Sequence, residues 1–503
     1  MPLWFLCTIL AVLLVLALAL ICLLRTLRAG KKTTHWMRAD TIATPEKLPA
    51  VDAGRAVESL QMAVRIPTVS HPDPTQVDWA AFEQYAAWLE ERYPAFHAAA
   101  ERAHIAEHAL IYRWPGREKG CKPALWMAHQ DVVPANNPDE WTHLPFAAEL
   151  ADGCLWGRGA LDMKSQMVAM FECCEALIQT GYQPRRDLYF LLGCDEETGV
   201  NTSAIPMNQW FREKQIQPLY ILDEGTNCFF DGELFDVDGT LACIHVAEKG
   251  FGNLTFQVNS AGGHASLPPR HTALGKVIRY ASHVEGRPFR AQIAPPTSEM
   301  IARLLSDMRF FDRLIYANLW LLRPLAIWKL SKNRQTNAWI RSTAALTMAG
   351  AAPQPNVLPQ EATAVFNVRT APWDEAVAVR GEMLRRAGLL NQASEGDRVL
   401  IVDEVHDGSR VSSRSSAGAR VVFDTVQEMF CDCHAVPSLM LGGTDSMHLQ
   451  GLCDSVYRFS PFRSYQQYGH TIHSTDERIE VDDFVHGIDF FMMLCLRGDQ
   501  IEE

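Results

Sequence analysis

The spacing of apolar and polar positions changes several times along this chain, and each change marks a boundary. From Leu3 to Leu24 no charged residue occurs. An apolar run of about 22 residues is long enough to span a bilayer as a helix. Arg25, Arg28, Lys31 and Lys32 follow it. A cleaved leader carries its charge before a shorter apolar run and ends in small residues. The pattern therefore predicts an uncleaved membrane anchor over 1–28, then a polar connector over 29–45. The positive-inside rule places the large C-terminal part in the cytoplasm.

From residue 46 to 249, helical and strand periods alternate. The spacing predicts helices over 51–64, Trp79–Arg92 and Met163–Thr180, and strands over Ala124–Ala128, Asp187–Gly193 and Leu219–Leu222. Such alternation predicts an α/β fold, a mostly parallel sheet with helices on both faces. Ligand-binding residues then belong at the carboxyl ends of strands. Near Lys249-Gly250 the texture changes to half-exposed strands. The order strand-helix-strand-strand-helix-strand predicts an inserted ferredoxin-like α+β domain over 250–407. Its last strand is expected over Arg398–Val405. The first domain resumes over 408–503, with helices Ala417–Phe430 and Val481–Leu496. Inside the insert, Phe310–Leu330 is dense in Leu, Phe and Trp but broken by Arg313, Arg323 and Lys329. It reads as an extra core helix pair, or as an apolar ligand wall or membrane-contacting surface.

At 503 residues the chain exceeds one ordinary domain. A 48% hydrophobic content with 21% charged residues supports a large core. The net charge of −13 argues against a nucleic-acid partner. Thirteen cysteines show no disulfide framework and read as buried thiols, as in a reducing compartment.

The chemistry concentrates at the predicted strand ends. His129-Gln130-Asp131 follows one strand, and Asp131 stands where its carboxylate can orient the His129 imidazole. Asp162 closes Gly157-Arg158-Gly159-Ala160-Leu161, a loop whose glycines permit a tight turn. Glu196 and Glu197 leave the next strand side by side, so one can hold a metal while the other faces water. Asp223 ends a third strand, and His473 lies in the closing segment. Singly, each is an ordinary core histidine, helix cap or surface acid. Together they suggest a metallohydrolase with two metal ions. Two histidines plus carboxylates suit zinc, with cobalt or manganese as substitutes.

These motifs, in this order, resemble the co-catalytic zinc peptidase family of carboxypeptidase G, acetylornithine deacetylase, succinyl-diaminopimelate desuccinylase and aminoacylase. The resemblance covers roughly residues 50–500. Within it, Val246-Ala247-Glu248-Lys249-Gly250, the apolar insert and Gly443-Thr444-Asp445-Ser446 are most similar to the branch of N-fatty-acyl-amino-acid synthase/hydrolases and carboxypeptidases. The resemblance implies that Asp162 bridges two zinc ions, with His129 and Asp223 on one and Glu197 and His473 on the other. It implies that Glu196 is the general base, and that Asp131 supports His129. It makes the insert a lid and dimerisation module. His264, in Gly262-Gly263-His264, would polarise the scissile carbonyl, often across the dimer. Asn356 and Arg369 would hold a substrate carboxylate. Asn367 stands where many relatives carry an acid. Secreted relatives oppose the positive-inside reading, so the membrane side is left open.

The chain is thus expected to be a membrane-anchored di-zinc amidohydrolase that cleaves or forms an amide beside a free carboxylate, as in N-acyl amino acids. A dipeptidase or carboxypeptidase with a polar peptide substrate is the alternative among enzymes. A non-enzymatic binding protein is the alternative outside them.

Overall fold

The computed structural model of the chain describes residues 3–31, 48–106, 108–352, 354–389, 399–403 and 405–502. Residues 32–45 of the expected connector, and positions 398 and 404 of the strand expected over Arg398–Val405, lie outside them. The fold is mixed α/β.

The strands that matter are β1 (Ala124–His129), β2 (Leu188–Gly193), β3 (Tyr220–Asp223), β4 (Thr240–Glu248), β5 (Gly250–Asn259), β6 (Thr343–Gly350), β7 (Glu361–Thr370), β8 (Val399–Asp403), β9 (Cys433–Met440) and β10 (Val456–Arg458). One nine-stranded sheet runs Glu101–Ile105, Ala109–Trp114, β2, β1, β3, β10, β4, β9, with Phe229–Asp231 beside β4. It is mixed. The pairs β1–β2, β1–β3, β3–β10 and β4–β9 are parallel. The Ala109–Trp114 edge and the β4–β10 junction are antiparallel.

Why β1 and β2 sit at the centre follows from their side chains. Alternate residues of a strand face opposite sides. Trp126, Phe190 and Leu192 pack into one core with helices Lys164–Gln179 and Val481–Gly498. Leu125, Met127, Tyr189 and Leu191 pack into another with helix Ala204–Glu213. With both faces apolar, the strands must be covered on both sides.

A second sheet, all antiparallel, runs β6, β7, β5, β8. Leu254, Phe256, Phe366 and Val368 face helices Ala273–Val284 and Ala376–Ala387. Arg369 and Asn367, offset by one residue, face the other way.

Three further helices are α1 (Leu3–Lys31), α2 (Phe310–Ala317) and α3 (Leu319–Leu330). α1 is long and apolar enough to cross a membrane, and its only buried residues are Cys22 and Thr26. The α2–α3 hairpin does not pack on the smaller sheet. Its Tyr316, Ala326 and Leu330 join Phe235, Leu241 and Leu439, on the β4–β9 side of the large sheet. All thirteen cysteines are unpaired.

Candidate metal centre and active site

Parallel pairing sets His129 beside Gly193, so the ends of β1 and β2 open onto one cavity of about 480 Å³. Asp162, Glu196, Glu197, Glu224, Arg369 and His473 are among its lining residues.

His129 is buried at the end of β1. Its Nδ1 lies 2.9 Å from the main-chain oxygen of Asp131. A carbonyl oxygen only accepts, so Nδ1 carries the proton and Nε2 turns its lone pair toward Asp162 and Glu224, which line the cavity. That Nε2 is 3.3 Å from Asp162 Oδ1 and 3.6 Å from Glu224 Oε1. On the other side, His473 Nε2 is 2.8 Å from Glu197 Oε2 and 3.4 Å from Asp162 Oδ2. The two oxygens of Asp162 therefore face different histidines. Two groups result, His129–Asp162–Glu224 and Asp162–Glu197–His473, each with its ligand atoms within 4.8 Å of one another.

The side chain that stands with His129 and Asp162 is that of Glu224, next to the expected Asp223. Asp223 Oδ1 accepts from Glu224 N at 2.8 Å and Oδ2 from Ser446 N at 2.9 Å. Both oxygens are committed to backbone donors, and the next residue supplies the free carboxylate. Asp131 also differs in how it acts. Its carboxylate is 3.5 Å from His129 Nδ1, farther than its own carbonyl. It instead accepts from Glu196 N at 3.3 Å and Glu197 N at 3.2 Å, fixing the turn that carries both glutamates.

Asp162 owes its position to a residue that the sequence left unmarked. Glu477 Oε1 accepts from the backbone nitrogens of Leu161 (2.9 Å) and Asp162 (3.0 Å). Its Oε2 receives Arg158 Nη1 at 2.6 Å, and both side chains are buried. Tyr465 donates its hydroxyl to the Leu161 oxygen at 3.0 Å. Gly159 has φ +84°, and a Cβ there would press on Val132, so the tight turn needs glycine. Glu477→Ala leaves the Arg158 guanidinium buried and unpaired. It is expected to cost about 3–5 kcal/mol, read as a lower melting temperature, and to reduce metal content. Melting and metal content both at wild-type level would mean that the loop holds Asp162 unaided.

The electrostatics call for cations. Burial pushes the carboxyl of Glu224 well above its usual range, and the Asp162 charge adds to it. Burial does the same for half-buried Glu196, with Asp445, Glu197 and Asp162 adding to it. Glu197 is pushed up to about 7 by burial and Asp162. Hydrogen bonds that His473 donates to Asp162 and Glu197 raise it to about 10. Burial opposes the charge on Asp162 as well, but the two histidines outweigh it and hold the carboxyl low. Two buried carboxylate oxygens, Glu197 Oε1 and Glu224 Oε2, have no hydrogen-bond partner. An acceptor-only atom stranded in this way fits a metal ligand.

The three expected substrate residues separate. Arg369 lines the cavity, opposite Phe251 in the β5–β7 register. Its Nε donates to Asn367 Oδ1 at 3.2 Å, so an amide now orients it. Among the described residues no carboxylate pairs with it. His264 and Asn356 do not line the cavity. They lie together in a small ribbon, where Ala265 N donates to the Asn356 oxygen at 3.0 Å. His264 is exposed, and its Nδ1 lies 2.7 Å from Ser266 Oγ. The Phe310–Leu330 hairpin contributes nothing to the cavity lining, so the expected apolar ligand wall is not there.

A strand-end centre with two histidines, a shared aspartate and flanking glutamates fits a metal-dependent hydrolase. The chain belongs to peptidase family M20/M25/M40, whose model matches residues 125–497. It is 30% identical over 499 residues to the N-fatty-acyl-amino acid synthase/hydrolase PM20D1 of Xenopus tropicalis, covering 98% of this chain and 95% of that protein. The human protein of that name is 29% identical over 481 residues, covering 94% and 93%. The "Probable carboxypeptidase S-like 2" of Dictyostelium discoideum is 30% identical over 447 residues, covering 87% and 84%. Among solved structures, the M20 metallo-carboxypeptidase Sso-CP2 of Sulfolobus solfataricus shares the fold with a TM-score of 0.65 at 15% identity, over 89% of this chain and 99% of that one. Human carnosine dipeptidase 1 does so with a TM-score of 0.60 at 15% identity, over 89% and 97%. The chain is therefore a metallo-hydrolase.

Proposed function

We propose that this chain is a membrane-anchored di-zinc amidohydrolase that hydrolyses, and in reverse forms, the amide of N-acyl amino acids. The observation that carries this reading is the sharing of Asp162 between two ligand groups in a cavity that also presents Arg369. His129, Asp162 and Glu224 would hold one zinc, and Asp162, Glu197 and His473 the other. When bound, such a pair lowers the pKa of a water and stabilises negative charge on the scissile oxygen. Glu196 belongs to neither group and faces the same cavity, so it takes the proton from the attacking water and delivers it to the leaving amine. The Arg369 guanidinium binds the free carboxylate of the amino acid. Phe251, Met440, Met447 and Ile472 give the same cavity apolar wall for an acyl chain. The similarity to the fatty-acyl-amino acid enzymes, across nearly the whole chain, supports this substrate class.

The smaller sheet and its helices, within 250–407, act as the lid, joining a catalytic part made of 46–249 and 408–503. His264 and Asn356, away from their own cavity, serve the cavity of a second copy. The apolar helix α1 anchors the chain.

Purified full-length protein, assayed with N-acyl amino acids against dipeptides before and after chelation, tests the reading. Hydrolysis of the acyl substrates should vanish with chelation and return with zinc. Arg369→Ala should raise KM about 10- to 100-fold for the free carboxylate, the loss of a charge-assisted hydrogen bond. It should leave a carboxamide analogue, a poor substrate, unchanged. Preference for dipeptides would move the chain to the peptidase reading.

A further inference from the structure

The α2–α3 hairpin leaves a large apolar face uncovered. Phe310, Phe311, Trp320, Leu321, Leu325 and Trp328 are all exposed, Phe311 at 75% and Trp328 at 57%. Residues 321, 325 and 328 share one helix face by their spacing. Water-facing surfaces rarely keep so many large apolar side chains side by side.

The same hairpin is clamped to α1. Asn318, fully buried between them, points Nδ2 at the Cys22 oxygen (3.1 Å) and at Thr26 Oγ1 (3.2 Å). Arg25 Nε donates to the Ala317 oxygen at 3.3 Å. Gly30 lies so close to the Arg313 guanidinium that a Cβ there would collide with it. All these contacts fall at the C-terminal end of α1, where its apolar run stops and Arg25 and Arg28 begin. A run of about 22 residues at 1.5 Å each matches a hydrocarbon layer of about 30 Å. The hairpin therefore meets α1 at the depth of the headgroups.

Charge points to the same occupant. In a chain of net charge −13, residues 309–334 hold Arg309, Arg313, Arg323, Lys329, Lys332 and Arg334 against the single acid Asp312; Arg309 pairs with Asp236 and Asp238 and Lys329 with Asp312, so the excess rests on the other four. Lys332 Nζ lies 3.5 Å from the centre of the Trp328 ring. Tryptophans beside basic residues favour the interface between lipid tails and headgroups.

The geometry points to a bilayer-seated platform: the outer face of α2–α3 lies in the lipid interface beside α1, and Asn318 locks the two together. This rests on the proposed reading of α1 as an anchor. The catalytic part is then held in one orientation over the membrane by two contacts rather than swinging on a tether.

Full-length protein in nanodiscs of phosphatidylcholine and phosphatidylserine provides the test. The two exposed cysteines are replaced (Cys7→Ser, Cys431→Ser). A nitroxide is placed at Leu321→Cys, at Leu13→Cys in α1, or at Val377→Cys, an exposed site on helix Ala376–Ala387. Signal from the unsubstituted parent is subtracted, and retained hydrolysis checks folding. Collision rates with oxygen, which enters lipid, are compared with those for a nickel chelate, which does not. The oxygen-to-nickel ratio at Leu321 and Leu13 should exceed that at Val377 several-fold. If Leu13 is in lipid but Leu321 matches Val377, the anchor stands and the platform is wrong. If Leu321 is shielded from both reagents, protein covers the face, as a second copy would, and the platform is again wrong. If Leu13 is in water, the anchor reading fails and the platform with it.

Discussion

Glu196→Gln should abolish turnover while the protein keeps its full metal content. Glu196 lies outside both ligand groups, yet its carboxyl faces the cavity they share. Glutamine keeps the size and polarity of the side chain but cannot accept the proton of an attacking water. General-base catalysis contributes about 10²- to 10⁴-fold, and this residue would serve both the attack and the departure of the amine, so the loss should reach the upper end. Glu197→Gln should do the reverse to the metal. It replaces the oxygen 2.8 Å from His473 and weakens the second group. Turnover and metal content of the two purified variants, measured together, decide the matter. A Glu196 variant without metal, beside a Glu197 variant that retains it, would exchange the two roles.

The second large effect separates two neighbours. Glu224→Ala should lose about one equivalent of metal, since it removes one of three ligands from the first group, and activity should fall with it. Asp223→Asn should keep the metal. Its cost is structural, because an amide nitrogen cannot accept from a backbone donor. One of the bonds to Glu224 N and Ser446 N is lost, at about 1–3 kcal/mol. Denaturation and metal analysis of both variants read the two effects separately. Metal loss in Asp223→Asn with retention in Glu224→Ala would return Asp223 to the ligand set.

That pair shows where sequence reading stops. The strands bearing His129, Glu196 and Asp223 were legible because their apolar runs are long and end in polar residues, and strand ends are where α/β sheets bind ligands. The choice between Asp223 and Glu224 was not legible. It depends on Ser446, 223 residues away in sequence, whose backbone nitrogen claims the Asp223 carboxylate. Glu477 escaped for the same reason: nothing local distinguishes it from a surface acid, and its partners Arg158, Leu161 and Asp162 lie more than 300 residues earlier. Arg369, which only the resemblance singled out, lines the cavity because the period of β7 turns odd positions away from the helices. His264 and Asn356 share a ribbon whose relation to any cavity lies beyond local pattern. The Phe310–Leu330 segment was legible as apolar helix, but not its neighbours, which are the β4–β9 side of the sheet and α1.

The route by which Asp162 is held sets an order of events during synthesis. A nascent chain extended only to residue 470 already contains His129, Asp162, Glu196, Glu197 and Glu224. It lacks His473, and it lacks Glu477, whose carboxylate fixes the backbone of the shared aspartate. Contacts of such long sequence separation form late. On the proposed ligand assignment, a truncation confined to the last few dozen residues would therefore cost the enzyme metal although most of the ligands lie in the first half of the chain.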